Sequence, residues 1–442
     1  MRNAIFLVFI VGVIPTIFLH PYVGVLLWSW LSFMSPQRLA YGFSNSLPLA
    51  MIVGAGTLLC WLASKEPKKP KLDATFWLIA TFMAYVSLTT LFAFNPVAAY
   101  KKWDLTFKAL LFVLVTITMT TNRVRVHSLV WVMIIAIGFY GLKSGAGAIM
   151  SGGGGRVYGP PDTMIGDNNH FAVALLVALP LMNYVRMNSA QRIVRLGLPV
   201  LMGLCLVATL ASYSRGALLG LGAVSLFLWL KSKRKLLPAI IIPLAVVSAI
   251  KFMPEQWFAR MNTMEHYEED GSATGRLAMW ETSYRIALAR PFTGAGFVGP
   301  YMPEVVQTYN PGTTPRAVHS IYFEVIGEHG FVAFAIWALI PVVGWRNARW
   351  VIKRSRDLPE WRWANDLARM MQVSLIGYLV GGTFLSLSYW DYYFTIIGLL
   401  AAMRHMMEKA FAEQAAPAGS IETAADDMPS PVPAAVPAFS RS

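Results

Sequence analysis

Apolar residues along this chain fall in long runs that are separated by short polar connections. Residues 75–94 and 196–211, for example, contain no charged side chain. About 20 apolar residues are needed for a helix to cross the hydrocarbon core of a bilayer, and lipid offers no hydrogen-bond partners to irregular backbone. The pattern therefore predicts an all-α polytopic integral membrane protein with about twelve transmembrane helices, near residues 4–34, 46–64, 75–94, 106–121, 127–149, 169–185, 196–211, 216–230, 236–252, 319–345, 366–387 and 389–408.

The first run, 4–34, is long enough for more than one helix, and it contains the pair His20-Pro21. Proline lacks a backbone donor and disfavours helix in the residue before it, so a break is predicted there. We prefer a single crossing with this break, because it leaves Arg2 on the same side as the other basic segments. Two short passes remain an alternative.

Charge adds a topology to this pattern. Only 14% of the residues are charged, against about a quarter in soluble domains, and the net charge of +14 comes from basic residues in alternate connections. The positive-inside rule assigns those connections to the cytoplasm of a bacterial inner membrane, so the charge does not indicate nucleic acid. The basic connections contain Lys65, Lys68, Lys69 and Lys71; Arg123 and Arg125; Arg186, Arg192 and Arg195; Lys231, Lys233, Arg234 and Lys235; and Arg346, Arg349, Lys353, Arg354 and Arg356.

The remaining connections are predicted to face outward, and the longest of them divides the chain. We expect an N-terminal transmembrane bundle (1–252), a long periplasmic loop (253–318), C-terminal transmembrane helices (319–410) and a disordered cytoplasmic tail rich in Ala, Pro and Ser (411–442). Within the long loop, apolar residues at helical spacing predict a helix over 276–290 that ends at a proline. Tight turns are predicted after it at Gly294, Gly296 and Gly299.

Arg215 is the first candidate for chemistry, since it lies in Ser212-Tyr213-Ser214-Arg215-Gly216 between two apolar runs. A cation at a membrane boundary is costly unless it is paired or hydrated. Its side chain either extends to the aqueous interface or binds an anion at the start of the next helix, where the helix dipole favours negative charge. Arginine can hold a phosphate with two parallel hydrogen bonds.

Of two further candidates, one lies within the long loop and the other at its end. Arg276 opens its predicted helix, and by spacing alone an ordinary surface arginine is favoured there. His319 lies where the loop re-enters the membrane, and we predict that it shares a helical face with Tyr322, Phe323 and Ile326. A neutral imidazole at this boundary either takes a proton as a general base or only caps the helix.

Four basic residues on the predicted outer side depart from the topology rule and suggest an anionic lipid ligand. They are Lys101, Lys102, Arg156 and Arg316. The segment Asp167-Asn168-Asn169-His170 either binds a sugar or caps the helix that follows, and capping is favoured. The acidic run 265–270 is interpreted as a solvated face, and no metal or cofactor is expected.

Three elements, in this order, resemble the O-antigen ligase family, which belongs to a superfamily with O-antigen polymerases and bacterial protein O-oligosaccharyltransferases. They are Ser214-Arg215-Gly216; Gly275-Arg276…Trp280 followed by Arg290-Pro291-Phe292-Thr293-Gly294-Ala295-Gly296; and His319-Ser320…Tyr322…Glu328-His329-Gly330. The resemblance covers about residues 75–408, and the long loop between the second and third elements also matches.

This resemblance implies a metal-independent glycosyltransferase whose active site faces the periplasm. The donor would be O-antigen on undecaprenyl pyrophosphate, and the acceptor would be a sugar hydroxyl of lipid A–core in lipopolysaccharide biosynthesis. His319 would act as general base, and Arg215 and Arg276 would bind the donor pyrophosphate. The four other basic residues would be possible donor contacts, and attack on the opposite face would invert the anomeric carbon.

The alternatives differ in the acceptor or in the activity. An O-antigen polymerase extends one lipid-linked glycan with another, and a protein O-oligosaccharyltransferase modifies an exported protein. A transporter of the same lipid should carry polar groups near the bilayer midplane, whereas the middles of these runs are nearly all apolar. The ligase is preferred because the three elements look closest to that branch and no further C-terminal domain is expected.

Overall fold

The computed structural model confirms the all-α fold, with no strand among the residues that it describes: 2–39, 47–66, 68, 73–231, 255 and 271–415. Predictions for the span 236–252, the acidic run 265–270, Lys69, Lys71 and 233–235 lie outside these residues. The described helices, numbered in chain order, are α1 (Arg2–Leu19), α2 (Pro21–Met34), α3 (Leu49–Ala63), α4 (Ala74–Thr90), α5 (Pro96–Met119), α6 (Arg123–Met150), α7 (Asn168–Asn188), α8 (Arg192–Ala211), α9 (Arg215–Lys231), α10 (Gly271–Ala289), α11 (Pro303–Tyr309), α12 (Ile321–Arg354), α13 (Arg362–Gly382) and α14 (Asp391–Ala415).

Four of these helices, α6, α7, α8 and α12, are long and apolar enough to cross a membrane by length and composition. Several shorter helices are also apolar, among them α2, α3 and α4. The count of about twelve spans stays a prediction. The last helix reaches Ala415, five residues into the predicted tail that begins at 411, and the rest of that tail lies outside the described residues.

The connections alternate between two ends of the bundle, as the charge pattern predicted. The loop end carries the connections 151–167, 212–214, 290–320 and 383–390. They are bonded in pairs: Tyr213 Oη donates to the Gly153 carbonyl at 3.0 Å, and His319 N–H donates to Ser386 Oγ at 2.9 Å. The basic end carries the connections 120–122, 189–191 and 355–361. Which end faces which compartment stays a prediction.

The packing of the helices shows which of them form the core. The apolar part of α7 is 78% buried inside the protein, whereas that of α8 is only 22% buried. Residues of α14 from Asp391 to Met403 are buried throughout. In a membrane protein an exposed apolar face contacts lipid, so α8 belongs at the periphery and α7 and α14 at the centre.

The first apolar run forms a helical hairpin, so the preferred single crossing of 4–34 is wrong. Pro21 begins a new helix after His20, and the rings of Phe9 and Trp30 approach to 5.4 Å. Each ring lies about ten residues from the break, or about 15 Å along a helix, so they meet only if α1 folds back on α2. The start of α1 therefore lies at the same end of the bundle as the end of α2.

The long loop contains the predicted helix as α10, which begins at Gly271 and ends before Pro291. Gly294 and Gly296 have φ of 57° and 78° and confirm two of the predicted turns. The third, Gly299, begins a short 3₁₀ helix instead. After α10, these turns lead the chain back toward the start of α12.

A break in α12 receives this returning loop. Gly330 has φ 79° and ψ −175° inside the helix, and the freed backbone groups bond the loop: Phe331 N–H donates to the Pro291 carbonyl at 2.8 Å, and Gly296 N–H donates to the Glu328 carbonyl at 2.8 Å. A Cβ at Gly330 would lie 2.3 Å from the Pro291 oxygen. Only glycine fits both this backbone conformation and this contact.

The predicted span 366–387 ends early, because α13 stops at Gly382 and residues 383–390 are not helical. This connection, called the 383–390 segment below, is nevertheless buried. Irregular backbone at this depth is tolerated where protein supplies its hydrogen bonds. Here Tyr378 Oη donates to the Leu387 carbonyl at 2.8 Å, and Trp337 Nε1–H donates to the Ser388 carbonyl at 3.1 Å.

Candidate active site

Arg215 is the first residue of α9 and follows a tightly fixed turn. Ser214 Oγ accepts a hydrogen bond from Ala217 N–H at 3.2 Å and caps the helix. Tyr213 adopts left-handed backbone with φ 55°, and its hydroxyl donates to the Gly153 carbonyl at 3.0 Å. The Gly-rich connection therefore anchors the turn, and Arg215 lies where the dipole of α9 favours an anion.

Arg276 lies in the second turn of α10, not at its opening as predicted. One turn later, Trp280 Nε1–H donates to the Val318 carbonyl at 2.9 Å, and the Trp280 ring stacks on Phe323 with centroids 5.2 Å apart. These two contacts lie on either side of His319 in the chain. Trp280 thus fixes Arg276 and its helix against the third element.

His319 lies two residues before α12, in left-handed backbone with φ 51°. The prediction that it shares a helical face with Tyr322 is therefore wrong. In the part of the chain that the structure describes, His319 Nδ1 and Ser320 Oγ are buried and lack a hydrogen-bond partner. Two adjacent polar groups with unused bonding capacity thus lie beside the N-terminus of α12.

Phe384 in the 383–390 segment joins the first two elements. It packs against Gly216, the residue after Arg215, where an added Cβ would lie 3.0 Å from the Phe384 Cβ. Its ring centroid is 6.2 Å from that of Trp280, which lies one turn from Arg276. The two arginine-bearing helices therefore meet at one aromatic side chain.

The same segment holds the third element. His319 N–H donates to Ser386 Oγ at 2.9 Å, and Gly382 packs so closely on Ile321 that an added Cβ would lie 2.5 Å from its Cδ1. All three sequence elements thus contact one short stretch of chain. Sequence reasoning missed this stretch because it lies in a predicted span, although the pair Gly381-Gly382 is a signal for a turn.

The electrostatic surroundings of His319 keep its imidazole neutral. Burial, and then the charges of Arg276 and His170, lower its pKa from 6.5 to about 4, while Asp167 and Glu324 act in the opposite direction. Near pH 7 the side chain is therefore a proton acceptor. Because His170 and Asp167 both influence this pKa, they lie close enough to interact electrostatically with the site.

Two family models match the chain. Residues 1–190 match a family of unknown function (DUF5935), and residues 200–338 match the family described as O-Antigen ligase. The second match contains Arg215, Arg276 and His319 together with the turn and helices that position them. The match over residues 200–338 supports membership of the O-antigen ligase family. No curated protein matches the chain.

This match supports the resemblance carried by the three sequence elements. Members of the O-antigen ligase family are glycosyltransferase-like enzymes, and the family implies lipid-linked glycans and lipid A–core as substrates in general. The apolar helices and this domain together indicate a membrane protein.

Lys102 lies in an ion cluster next to the candidate site. Its Nζ is 2.8 Å from an oxygen of Glu324 and 2.8 Å from an oxygen of Glu328. The other carboxylate oxygens accept from Ser388 Oγ at 2.5 Å and Tyr389 Oη at 2.7 Å. A donor contact by Lys102 stays a prediction, but its ammonium is already paired twice.

The other basic candidates differ in their distance from the site. Lys101 is exposed, and among the described residues it makes no hydrogen bond or ion pair. Arg156 is also exposed, but Val157 beside it is bonded to Ala211 at the end of α8. This bond brings Arg156 near the turn that precedes Arg215.

Arg316 lies next to Arg276. A Cβ added at Gly275 would lie 2.1 Å from Arg316 Nη1, so the guanidinium covers the glycine just before Arg276. The structure therefore places Arg316 beside the second element. Its role as a donor contact stays a prediction.

The segment before α7 caps that helix, as favoured from the sequence. Asp167 accepts from the N–H groups of Asn169 at 2.8 Å and His170 at 3.4 Å. Asn168 Nδ2 donates to the Ser212 carbonyl at 2.7 Å and so attaches α7 to the Arg215 turn. The capping segment therefore borders the site, which the sequence did not reveal.

The groups that converge here suit phosphate and proton chemistry. Guanidinium groups bind phosphate oxygens in pairs, and a neutral imidazole accepts a proton. Within the described ranges, no group of three or more His, Cys, Asp or Glu side chains is placed to hold a metal ion.

Proposed function

We propose that this protein is an O-antigen ligase. It transfers a glycan from undecaprenyl pyrophosphate to a sugar hydroxyl of lipid A–core, at the periplasmic face of the inner membrane. The observation that carries the proposal is the contact of all three sequence elements with residues 384–386. Such convergence assembles two arginines and one histidine from a stretch of about 100 residues.

The arginines bind the donor and stabilise its leaving group. As the bond from the anomeric carbon to the phosphate oxygen breaks, negative charge develops on the pyrophosphate. Arg215 and Arg276 neutralise that charge, and the N-terminus of α9 adds its dipole. Because pyrophosphate is already a good leaving group, this stabilisation and one base suffice without a metal.

His319 activates the acceptor. Its neutral imidazole takes the proton of the sugar hydroxyl while the hydroxyl oxygen bonds to the anomeric carbon. A pKa of about 4 makes it a weak base before the donor binds. A pyrophosphate bound at Arg276 offsets the positive charge that lowers this pKa, so donor binding strengthens the base. Attack opposite the leaving group inverts the anomeric carbon.

The location of the site suits two lipid-anchored substrates. The three elements lie at the loop end of the bundle, where helices end and the long loop begins. Lys101, Arg156 and Arg316 remain possible contacts to the donor glycan or its phosphates. Both substrates can then reach the site from the bilayer without leaving it.

The test is the lipopolysaccharide banding pattern of a strain that lacks the gene. Complementation with wild type or with the control His20→Ala, which changes an exposed histidine at the basic end, should restore long glycan on lipid A–core. Complementation with His319→Ala should leave bare core while lipid-linked glycan accumulates. Core that carries single repeat units in the deletion strain would indicate a polymerase instead. An unchanged pattern would indicate protein glycosylation or transport.

A further inference from the structure

A cavity of about 650 Å³ lies among α2, α3 and α5 at the loop end. This volume is within the range of small-molecule sites, about 300–1,000 Å³. Apart from Trp390 and Asp391, its lining comes from residues 28–165, inside the match to the family of unknown function. None of the three residues proposed for catalysis or donor binding lines it.

The cavity is polar at one end and apolar at the other. Gln37, Arg38 and Asp162 line it near the loop end. Arg38 lies 3.5 Å from Asp162, and Gln37 Oε1 is buried with no hydrogen-bond partner in the described structure. Leu58 and Phe112 line its deeper part. Leu58 is nine residues beyond the start of α3, which is about 13 Å along the helix.

Most of its lateral wall is apolar and exposed, and Lys108, which also lines the cavity, is paired with Asp104 at 2.6 Å. Leu105 on α5 and Met51 on α3 line the cavity, and their side chains are 70% and 52% exposed. In a bilayer such side chains face the acyl region, so a hydrocarbon chain can enter from the side. A molecule with a polar head and a hydrocarbon chain matches both the change from a polar to an apolar lining and the opening toward the bilayer.

The geometry of the proposed reaction selects which lipid this is. Attack with inversion brings the acceptor to the face of the anomeric carbon opposite the pyrophosphate. The helices that carry Arg215 and Arg276 meet at Phe384, near one end of the 383–390 segment, whereas the cavity borders Trp390 and Asp391 at its other end. The lipid in the cavity is thus on the acceptor side.

We propose that this cavity binds an acyl chain of the glycolipid acceptor, with the sugar-bearing head at Gln37 and Arg38. The proposal assigns a role to the region that matches the family of unknown function, and it rests on the proposed transfer reaction. The connection that holds Asp162 at the cavity also holds Asp167, which is within electrostatic reach of His319. A chain bound here therefore delivers its head toward the base.

A kinetic test uses a substitution in the cavity wall that fills the cavity. Ala55 lines the cavity and is exposed, so Ala55→Trp adds an indole there without disturbing the core. Gly56→Trp is the matched control, since Gly56 is outside the lining and has no atom within 4 Å of an added Cβ. Transfer is measured with the purified full-length protein in lipid nanodiscs and undecaprenyl pyrophosphate-linked glycan.

Ala55→Trp should raise KM for intact lipid A–core at least about tenfold, because displacing two buried methylenes already loses that much affinity. The rate with a fully deacylated core oligosaccharide and the KM for the donor should not change, and Gly56→Trp should behave as wild type. An equal loss with both acceptors, or a raised donor KM, overturns the proposal.

A binding test works without transfer. Lipid A that carries a photoreactive diazirine on an acyl chain should label peptides of α2, α3 and α5, and Ala55→Trp should abolish the labelling. Labelling in a protein that transfers no glycan would support lipid binding in the cavity and contradict the proposed transferase activity. If a diazirine-bearing undecaprenyl phosphate labels these peptides and lipid A does not, the cavity belongs to the donor lipid and the proposal fails.

Discussion

Two charged regions lie within ten residues of each other at the start of α12, and they differ in how completely their polar atoms are bonded. In the ion cluster, all four carboxylate oxygens of Glu324 and Glu328 accept hydrogen bonds, two of them from Lys102. At the site, His319 Nδ1 and Ser320 Oγ have no partner in the described residues.

At these two places the saturation of hydrogen bonds distinguishes a structural cluster from the candidate site, although other buried atoms, such as His329 Nε2 and Tyr393 Oη, also lack a partner in the described residues. A fully bonded buried cluster stabilises one arrangement of its elements, because removing its one cation, Lys102, leaves two buried carboxylates unpaired. Polar groups that keep bonding capacity at the end of a helix are suited to meet a substrate instead. The following predictions test this contrast, from the largest expected effect to the smallest.

Replacing the base should separate activity from stability. His319→Ala should lower the transfer rate about 10²- to 10⁴-fold, the usual contribution of a general base. The melting temperature in detergent should change little, because the imidazole Nδ1 makes no bond in the described structure. Rates are measured with saturating donor and acceptor, and His20→Ala is the control. If His319→Ala loses activity only because it unfolds, the assignment of His319 to function and not to structure is wrong.

Breaking the ion cluster should lower the stability of the protein, whereas replacing His319 should lower only its activity. Lys102→Met leaves two carboxylates buried without their cation, which should lower the free energy of unfolding by about 3–5 kcal/mol. Arg285→Ala removes an exposed pair with side chains 47% and 53% accessible and should change it by less than about 1 kcal/mol. Thermal unfolding of both variants gives the comparison. Full stability with lost transfer in Lys102→Met would make Lys102 a donor contact after all.

The break in α12 should be sensitive to a single methyl group. Gly330→Ala places a Cβ against the Pro291 oxygen in left-handed backbone, so it should destabilise the protein by about 1–3 kcal/mol. Gly12→Ala is the control, because nothing lies within 4 Å of a Cβ there. Equal melting temperatures for the two variants would show that the loop and α12 are not bonded as described.

The pH dependence should give the smallest effect. The pKa of His319 is lowered to about 4, first by burial and then by Arg276, so the protonated fraction is small above pH 5 and the rate should be flat from about pH 5 to 8. In Arg276→Gln one lowering charge is removed, so the acid limb should move to higher pH. Measuring kcat/KM against pH tests this, and an acid limb that stays in place would contradict the assigned cause.

Much of the fold could be predicted because it depends on local patterns. The helix α10 and its end before Pro291 follow from apolar spacing and proline, and the capping by Asp167 follows from residue type. The fold-back of α1 on α2 could not be predicted, because it depends on packing of Phe9 on Trp30. The end of α13 at Gly382 was also missed, since a buried irregular segment is as apolar as a helix.

The candidate site shows the same division. Arg215, Arg276 and His319 were found from short local elements, and their approach to one another was not. The pairing of Lys102 with Glu324 joins residues 222 positions apart, and a lysine on an outer connection looks the same whether it is exposed or buried. Residue type indicates which side chains can bind an anion or accept a proton. Only the folded chain distinguishes a ligand contact from a structural ion pair.

The ion cluster also has a consequence for inheritance. Lys102 comes from the region that matches the family of unknown function, and Glu324 and Glu328 come from the O-antigen ligase domain. A chimera that joins either region to a foreign counterpart would bury charge without its partner unless both sides of the cluster were transplanted. Selection should therefore keep the two halves together as one gene, and mutations at these three positions should become fixed as sets.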